Sequence, residues 1–328
     1  MSAKFSSSAL RSANDWLKRR MHRRLHRRFL MPLLLAALLP APALAADGDI
    51  TLLFAGDVML ADKPGAAVRR GMDPFRHFSR LFAAADVRIV NLECVVARKG
   101  RAEDKPFTFR AHPRVIPLLK KHVSAVSLAN NHSGDFGRSA FVEMLGLFEK
   151  EQLPYFGGGR DIRAAHRPWV TQVKGKTIAV LGFDGFLPRS FEALDRQPGV
   201  AWLDADLVAH QVRQAKEDLK ADLVIVFPHW GEELQPRASD AQRAMARLMI
   251  DSGADAVVGG HPHVTQDIEV YRGKPIFYSL GNFIFDGFDT DATNTGWVLQ
   301  LVAKADGGFD WTVHEARIDR NGLPHRKR

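Results

Sequence analysis

The chain has 328 residues, 46% of them hydrophobic and 25% charged, with a formal net charge of +9. That charge is localised: nine basic residues fall between Lys4 and Arg28 against one acid, Asp15, so the remainder is nearly neutral. A nucleic-acid-binding role on charge grounds is therefore excluded, and a single cysteine, Cys94, excludes an intrachain disulfide.

Residues 1–45 read as an export signal. A basic stretch ends at Arg28, an apolar run follows from Phe29 to Leu39, and Ala43-Leu44-Ala45 has the small-x-small form of a cleavage site. The run is too short, and too broken by Pro32, Pro40 and Pro42, to match the roughly 20 apolar residues of a spanning helix. The expectation is a periplasmic or secreted protein, membrane-anchored if the signal stays uncleaved. Residues 46–328 read as a single domain.

From Asp47 onward short apolar runs alternate with helical stretches. The runs are Ile50–Phe54, Val87–Val90, Ala125–Leu128, Ile178–Leu181, Leu223–Phe227 and Ala256–Val258. They are β-branched-rich and bounded by Gly, Pro or polar residues, as buried strands are. Helices are predicted around Phe75–Ala85, Val115–Lys121, Arg138–Lys150, Ala205–Lys220 and Asp240–Ser252. Three pairs of runs read as hairpins: Trp169–Val173 with Thr177–Leu181, Asp267–Tyr271 with Pro275–Tyr278, and Trp297–Lys304 with Phe309–Ala316. The pattern predicts an α/β sandwich of mixed sheets, with a frayed tail from His325 to Arg328.

Five of the runs lead directly into metal-ligating residue types. They are followed by Gly56-Asp57, by Asn91-Leu92-Glu93, by Asn130-Asn131-His132, by His229-Trp230-Gly231, and by Gly260-His261-Pro262-His263. Carboxyl ends of strands are where α/β sites assemble. Asp57 and Glu93 supply charge for a divalent cation, and His229, His261 and His263 supply imidazoles suited to Zn, Mn or Fe. The Asn131 carbonyl adds a neutral oxygen. His132 is placed to protonate a leaving group. Arg110 is a candidate for binding an anionic substrate, with a surface salt bridge as the alternative. Asn282 is a candidate for orienting a ligand from behind.

These motifs, together with Asp135 and Gly137 and the segment Ser279-Leu280-Gly281-Asn282-Phe283-Ile284-Phe285, closely resemble the CapA capsule-synthesis family, whose members are associated with poly-γ-glutamate synthesis. The resemblance runs from about Asp49 to Phe285. That family is similar to calcineurin-like metallophosphoesterases. The likeness implies a four-layer α/β/β/α sandwich holding two divalent metal ions, Mn, Fe or Zn. It places Asp57 and His263 at one ion, Asn131, His229 and His261 at the other, and Glu93 between them. His132 then acts as general acid or electrostatic partner, and Asn130 and Arg110 bind substrate.

The function implied is that of an exported metal-dependent hydrolase acting on a phosphoester or an anionic polymer, within an envelope polymer synthesis or export complex. A non-catalytic polymer-binding or assembly role with a structural metal is the alternative. Two departures stand out. Met59 occupies the position where the phosphoesterase pattern has a histidine ligand, and Glu93 stands for the usual bridging Asp.

Overall fold

Strands whose successive side chains point to opposite faces need a partner on each face, and this chain supplies two such layers. The computed structural model describes residues 48–327, all within one compact unit; the segment expected to be an export signal lies outside the described residues. An eight-stranded sheet runs in the order Pro324–Arg326, Phe309–Ile318, Thr295–Ala303, Ile50–Val58, Val87–Leu92, Ala125–Ser127 and Tyr155–Phe156, with Asn282–Ile284 paired to the end of Ile50–Val58. A six-stranded sheet runs Ile268–Tyr271, Lys274–Phe277, Ala256–Val258, Leu223–His229, Lys176–Asp184 and Trp169–Val173. Each sheet has parallel strands at its centre and antiparallel pairs toward its edges, apart from the parallel edge strand Tyr155–Phe156, so both sheets are mixed.

Alternation sorts the apolar side chains into three cores. Leu52 and Phe54, Ile89, Ile178 and Val180, Ile225 and Phe227, and Val258 fill the space between the sheets. Leu53, Val90 and Val126 point the other way, onto Leu119 of the helix Ile116–His122 and Phe141, Leu145 and Phe148 of the helix Gly137–Glu151. Leu181, Val224, Val226 and Val257 pack on Val208 and Val212 of the helix Ala205–Glu217 and Met249 of the helix Asp240–Asp251. Helices, sheet, sheet and helices form a four-layer α/β/β/α sandwich. Each large side chain fully buried in these cores contributes about 1.5–3 kcal/mol. Phe54 and Phe227 meet edge-to-face across the two sheets at 5.8 Å.

Differences from the sequence expectation have local causes. The first helix among the described residues, Asp62–Arg69, carries Pro64 and Gly65 and so lacks an ordinary helical pattern. Proline is nonetheless tolerated in a first turn, where its missing N–H has no intrahelical acceptor. The helix predicted at Phe75–Ala85 is confined to Ser79–Ala84, because Phe75–Phe78 are turns anchored by Asp73 accepting from the Phe75 N–H. Within the tail, Pro324–Arg326 is ordered rather than frayed: it adds an antiparallel edge strand to Phe309–Ile318, and His325 bonds Asp319 at 3.0 Å. Among the described residues no helix is long and apolar enough to cross a membrane.

Candidate metal centre

The parallel strands of both sheets end on one cluster. Asp57 closes Ile50–Val58, and Asn91 and Glu93 leave the end of Val87–Leu92 two residues apart. Asn131 and His132 follow Ala125–Ser127. His229 ends Leu223–His229, and His261 and His263 follow Ala256–Val258. Gly56 makes the Asp57 position possible. A Cβ there would overlap the Gly281 carbonyl, to which the Asp57 N–H donates at 3.0 Å.

The Asn91 amide nitrogen sits in the middle. It donates to Asp57 Oδ1 at 2.9 Å and lies 3.3 Å from Glu93 Oε2 and 3.1 Å from His229 Nδ1. On the far side of His229, Nε2 lies 2.9 Å from Asn131 Oδ1 and 3.1 Å from His261 Nδ1. His263 Nδ1 is 2.8 Å from Asn282 Oδ1, so it donates there and leaves Nε2 as its free lone pair. His132 Nδ1 likewise meets Asp135 Oδ2 at 2.8 Å. That aspartate also accepts from the Phe109 N–H at 2.6 Å and pairs with Lys105. His132 Nε2 is thereby turned toward Glu93, 3.9 Å from Oε1.

Electrostatics make this an uncomfortable place without a cation. Burial pushes the Asp57 carboxyl up despite His263 and Asn91. Burial and the neighbouring Asp57 push Glu93 well up. Burial, reinforced by the other imidazoles, holds His229 and His261 far below the ordinary histidine range, and His263 is lowered as well. The cluster thus offers neutral imidazoles, the ligating form, beside carboxylates whose charge a cation would stabilise.

Two buried atoms carry the same message. Glu93 Oε1 and His261 Nε2 have no hydrogen-bond partner. Around Glu93 Oε1 stand the Nε2 atoms of His263 at 3.7 Å, His229 at 3.8 Å and His132 at 3.9 Å. These are too long for hydrogen bonds. The His263 and His229 separations suit donors that reach an ion from roughly 2.0–2.2 Å. Asp57, Glu93 and His263 present ligand atoms all within 4.8 Å of one another. The donor set fits a divalent metal.

Residues 51–287 match the model of a family described as bacterial capsule synthesis protein PGA_cap. The chain belongs to this capsule-synthesis family. It is 35% identical over 280 residues to the PGA biosynthesis protein CapA of Bacillus subtilis (strain 168), covering 82% of this chain and 73% of that protein. It is 35% identical over 246 residues to the capsule biosynthesis protein CapA of Bacillus anthracis, covering 72% of this chain and 60% of that one. A solved structure of a hypothetical protein from Thermus thermophilus shares the fold, with TM-score 0.52 and 19% identity over 81% of this chain and 99% of that chain.

In this capsule-synthesis protein the residues read as ligands, Asp57, Glu93, Asn131, His229, His261 and His263, all lie in the cluster, with His132 at its edge. Asn282 holds the His263 ring. Asn130 lies beneath the cluster, fully buried. Its amide donates to Asn91 Oδ1 and the Leu92 carbonyl, both at 2.9 Å, and its Oδ1 accepts from the His132 N–H. The structure thus makes Asn130 a strut rather than a group presented to substrate. Arg110 donates to the Lys99 and Gly100 carbonyls at 3.1 Å and stacks on Phe136 at 4.3 Å. All of these partners lie outside the metal cluster.

Met59 is fully buried in the core under the helices, and its sulfur accepts from the Ala61 N–H at 3.2 Å. It offers the cluster nothing in place of the missing histidine. Cys94 is buried in the same core, and burial pushes its thiol up to about 12. Sequence reasoning gives no role to Asn91, Lys105 or Glu233. Of these only Asn91 carries a readable signal: it shares a strand face with Glu93.

Proposed function

We propose that this protein is an exported, divalent-metal-dependent hydrolase of envelope polymer synthesis, acting on the amide linkages of an anionic glutamyl polymer. The observation that carries the reading is Glu93 Oε1, buried without a hydrogen-bond partner among three imidazole nitrogens. Asp57, Glu93 and His263 would hold one ion, and His229, His261 and Asn131 line the adjoining position. When bound, such ions supply Lewis acidity and an activated water at neutral pH.

The remaining chemistry belongs to the chain's own side chains. Asp135 fixes the His132 ring through Nδ1, and Lys105 and the Phe109 N–H hold Asp135 in turn. A proton carried on His132 Nε2 faces the cluster, where it would pass to the departing amine as the carbon–nitrogen bond breaks. Lys105 is a third exposed at the rim, and its cation suits a carboxylate-bearing substrate.

The test is the full-length purified protein, analysed for metal and incubated with poly-γ-glutamate, with new amino groups counted and a phosphodiester run alongside. Metal-dependent amine release that His132→Ala abolishes while metal stays bound supports the reading. Release unchanged in that variant, or no metal uptake, overturns it.

Met59 favours a second reading, because one phosphoesterase ligand is replaced by a thioether engaged elsewhere. On that reading the ion is structural and the protein assists polymer assembly. Normal polymer production by His132→Ala cells would support it.

A further inference from the structure

The loop after His229 holds a carboxylate that no role above accounts for. Glu233 is exposed, yet it presents a ligand atom within 4.8 Å of those of His261 and His263. This second three-donor group adjoins the Asp57–Glu93–His263 group through the shared His263.

We propose that Glu233 is the outer carboxylate ligand of the second divalent-cation position, the one lined by His261 beside His229 and Asn131, and that this position opens to solvent at Glu233. The proposal rests on reading the buried cluster as a metal centre and deepens it.

An independent observation points to a ligand here. His261 is fully buried, and its Nε2 has no hydrogen-bond partner. A buried ring nitrogen without a partner is destabilising, and coordination would satisfy it. Backbone conformation agrees. His261 has φ +98° and His263 φ +58°, left-handed values that non-glycine residues adopt at a cost. Such strain twice in three residues, at the two residues that share the group, marks a segment shaped to aim side chains.

The loop carrying Glu233 is clamped to that segment. The Trp230 N–H donates to the Gly260 carbonyl at 3.1 Å, and the Leu234 N–H donates to the Pro262 carbonyl at 2.8 Å. Between these clamps the chain turns at Gly231, φ +92°, against the buried Gln242 amide. The turn brings Glu233 to the histidines, whereas its neighbour Glu232 has no place in the group.

The sharing of His263 orders the two positions. Its Nδ1 is committed to Asn282, so its one remaining lone pair can serve only one ion. An ion held by the buried Asp57 and Glu93 claims it first, leaving the outer ion with Glu233, His261 and water. The outer position is therefore the weaker of the two.

Manganese(II) alone, titrated into the metal-stripped full chain and followed by calorimetry and metal analysis, tests this without reference to activity. The expected wild-type result is two classes of site. Glu233→Gln should weaken the weaker class at least tenfold and leave the tighter one unchanged, while Asp57→Asn should remove the tighter class. Glu232→Gln removes the same charge from the same loop but no member of the group, and it should match wild type. Two classes persisting unchanged in Glu233→Gln would overturn the proposal, as would equal weakening by Glu232→Gln, which would indicate a diffuse field rather than ligation. One class in wild type, indifferent to Glu233, would overturn it while leaving the inner centre standing; no uptake at all would overturn both.

Discussion

His122 and His132 are both buried, and each meets an aspartate oxygen at 2.8 Å. His122 bonds Asp73 through Nε2, stacks on Phe75 at 4.7 Å and shares its aspartate with Lys121. His132 bonds Asp135 through Nδ1, lies against Phe109 at 4.5 Å and shares its aspartate with Lys105. The local motif is nearly the same: imidazole, carboxylate, lysine, aromatic ring. The difference is where the other nitrogen looks. That of His132 faces the unpartnered Glu93 oxygen, while the His122 ring packs among Phe75 and Phe82. A histidine–aspartate bond orients a ring; the ring's far side decides whether the orientation serves chemistry.

The comparison can be broken first at the metal. Asp57→Ala should abolish tight metal binding and bring amine release to background, and chelation should lower the Tm of wild type but not of the variant. Differential scanning with and without chelator checks this, and equal shifts would contradict it.

Next come the two histidines. His132→Ala should lower kcat by roughly 10²–10⁴-fold, the usual range for a proton-transfer group, with metal content unchanged. His122→Ala should leave kcat within about twofold yet cost roughly 1–3 kcal/mol in a denaturant melt, because it removes a buried bond and a stacked ring. Interchanged results would erase the distinction drawn above.

Asp135→Asn should have a smaller effect, on the order of 10-fold in kcat, since it loosens the His132 ring without removing it. A broadened or displaced pH profile would report the change.

The mildest test uses Asp184, on the strand beside His229. Burial pushes its carboxyl from 3.8 to about 7, opposed by the Phe186 N–H and Lys105. The folded chain keeps a proton that the unfolded chain releases between about pH 4 and 7, so stability falls as pH rises through that window. Asp184→Asn removes this dependence. Its stability relative to wild type should grow from near zero at pH 4 to roughly 1–3 kcal/mol at pH 8, read from denaturant midpoints. A difference independent of pH would mean that Lys105 keeps Asp184 charged throughout.

The fold was legible where side-chain period reports burial. Strands such as Leu223–His229 are apolar on both faces because both faces are covered, and their ends announced Asp57, His229 and the His261–His263 pair. Legibility fails where position is set by loops. Nothing in the sequence around Glu233 reveals that clamps to Gly260 and Pro262 bring it to the histidines. Asn130 reads as a polar loop residue, but its neighbours Asn91 and Leu92 come from a strand some 39 residues earlier and consume its amide. Met59 reads as a lost ligand. Only packing reveals that its side chain belongs to the core beneath the helices.

The donors are split between the layers: Asp57, Glu93 and Asn131 extend from one sheet, His229, His261 and His263 from the other. An ion gripped by both would act as a rivet through the sandwich. Breathing motions that slide or part the sheets would first have to release it. Amide protons of Phe54 and Ile225, which lie at the sheet–sheet seam and touch no donor, should therefore exchange with deuterium more slowly once metal is added, and the slowing should vanish in Asp57→Ala.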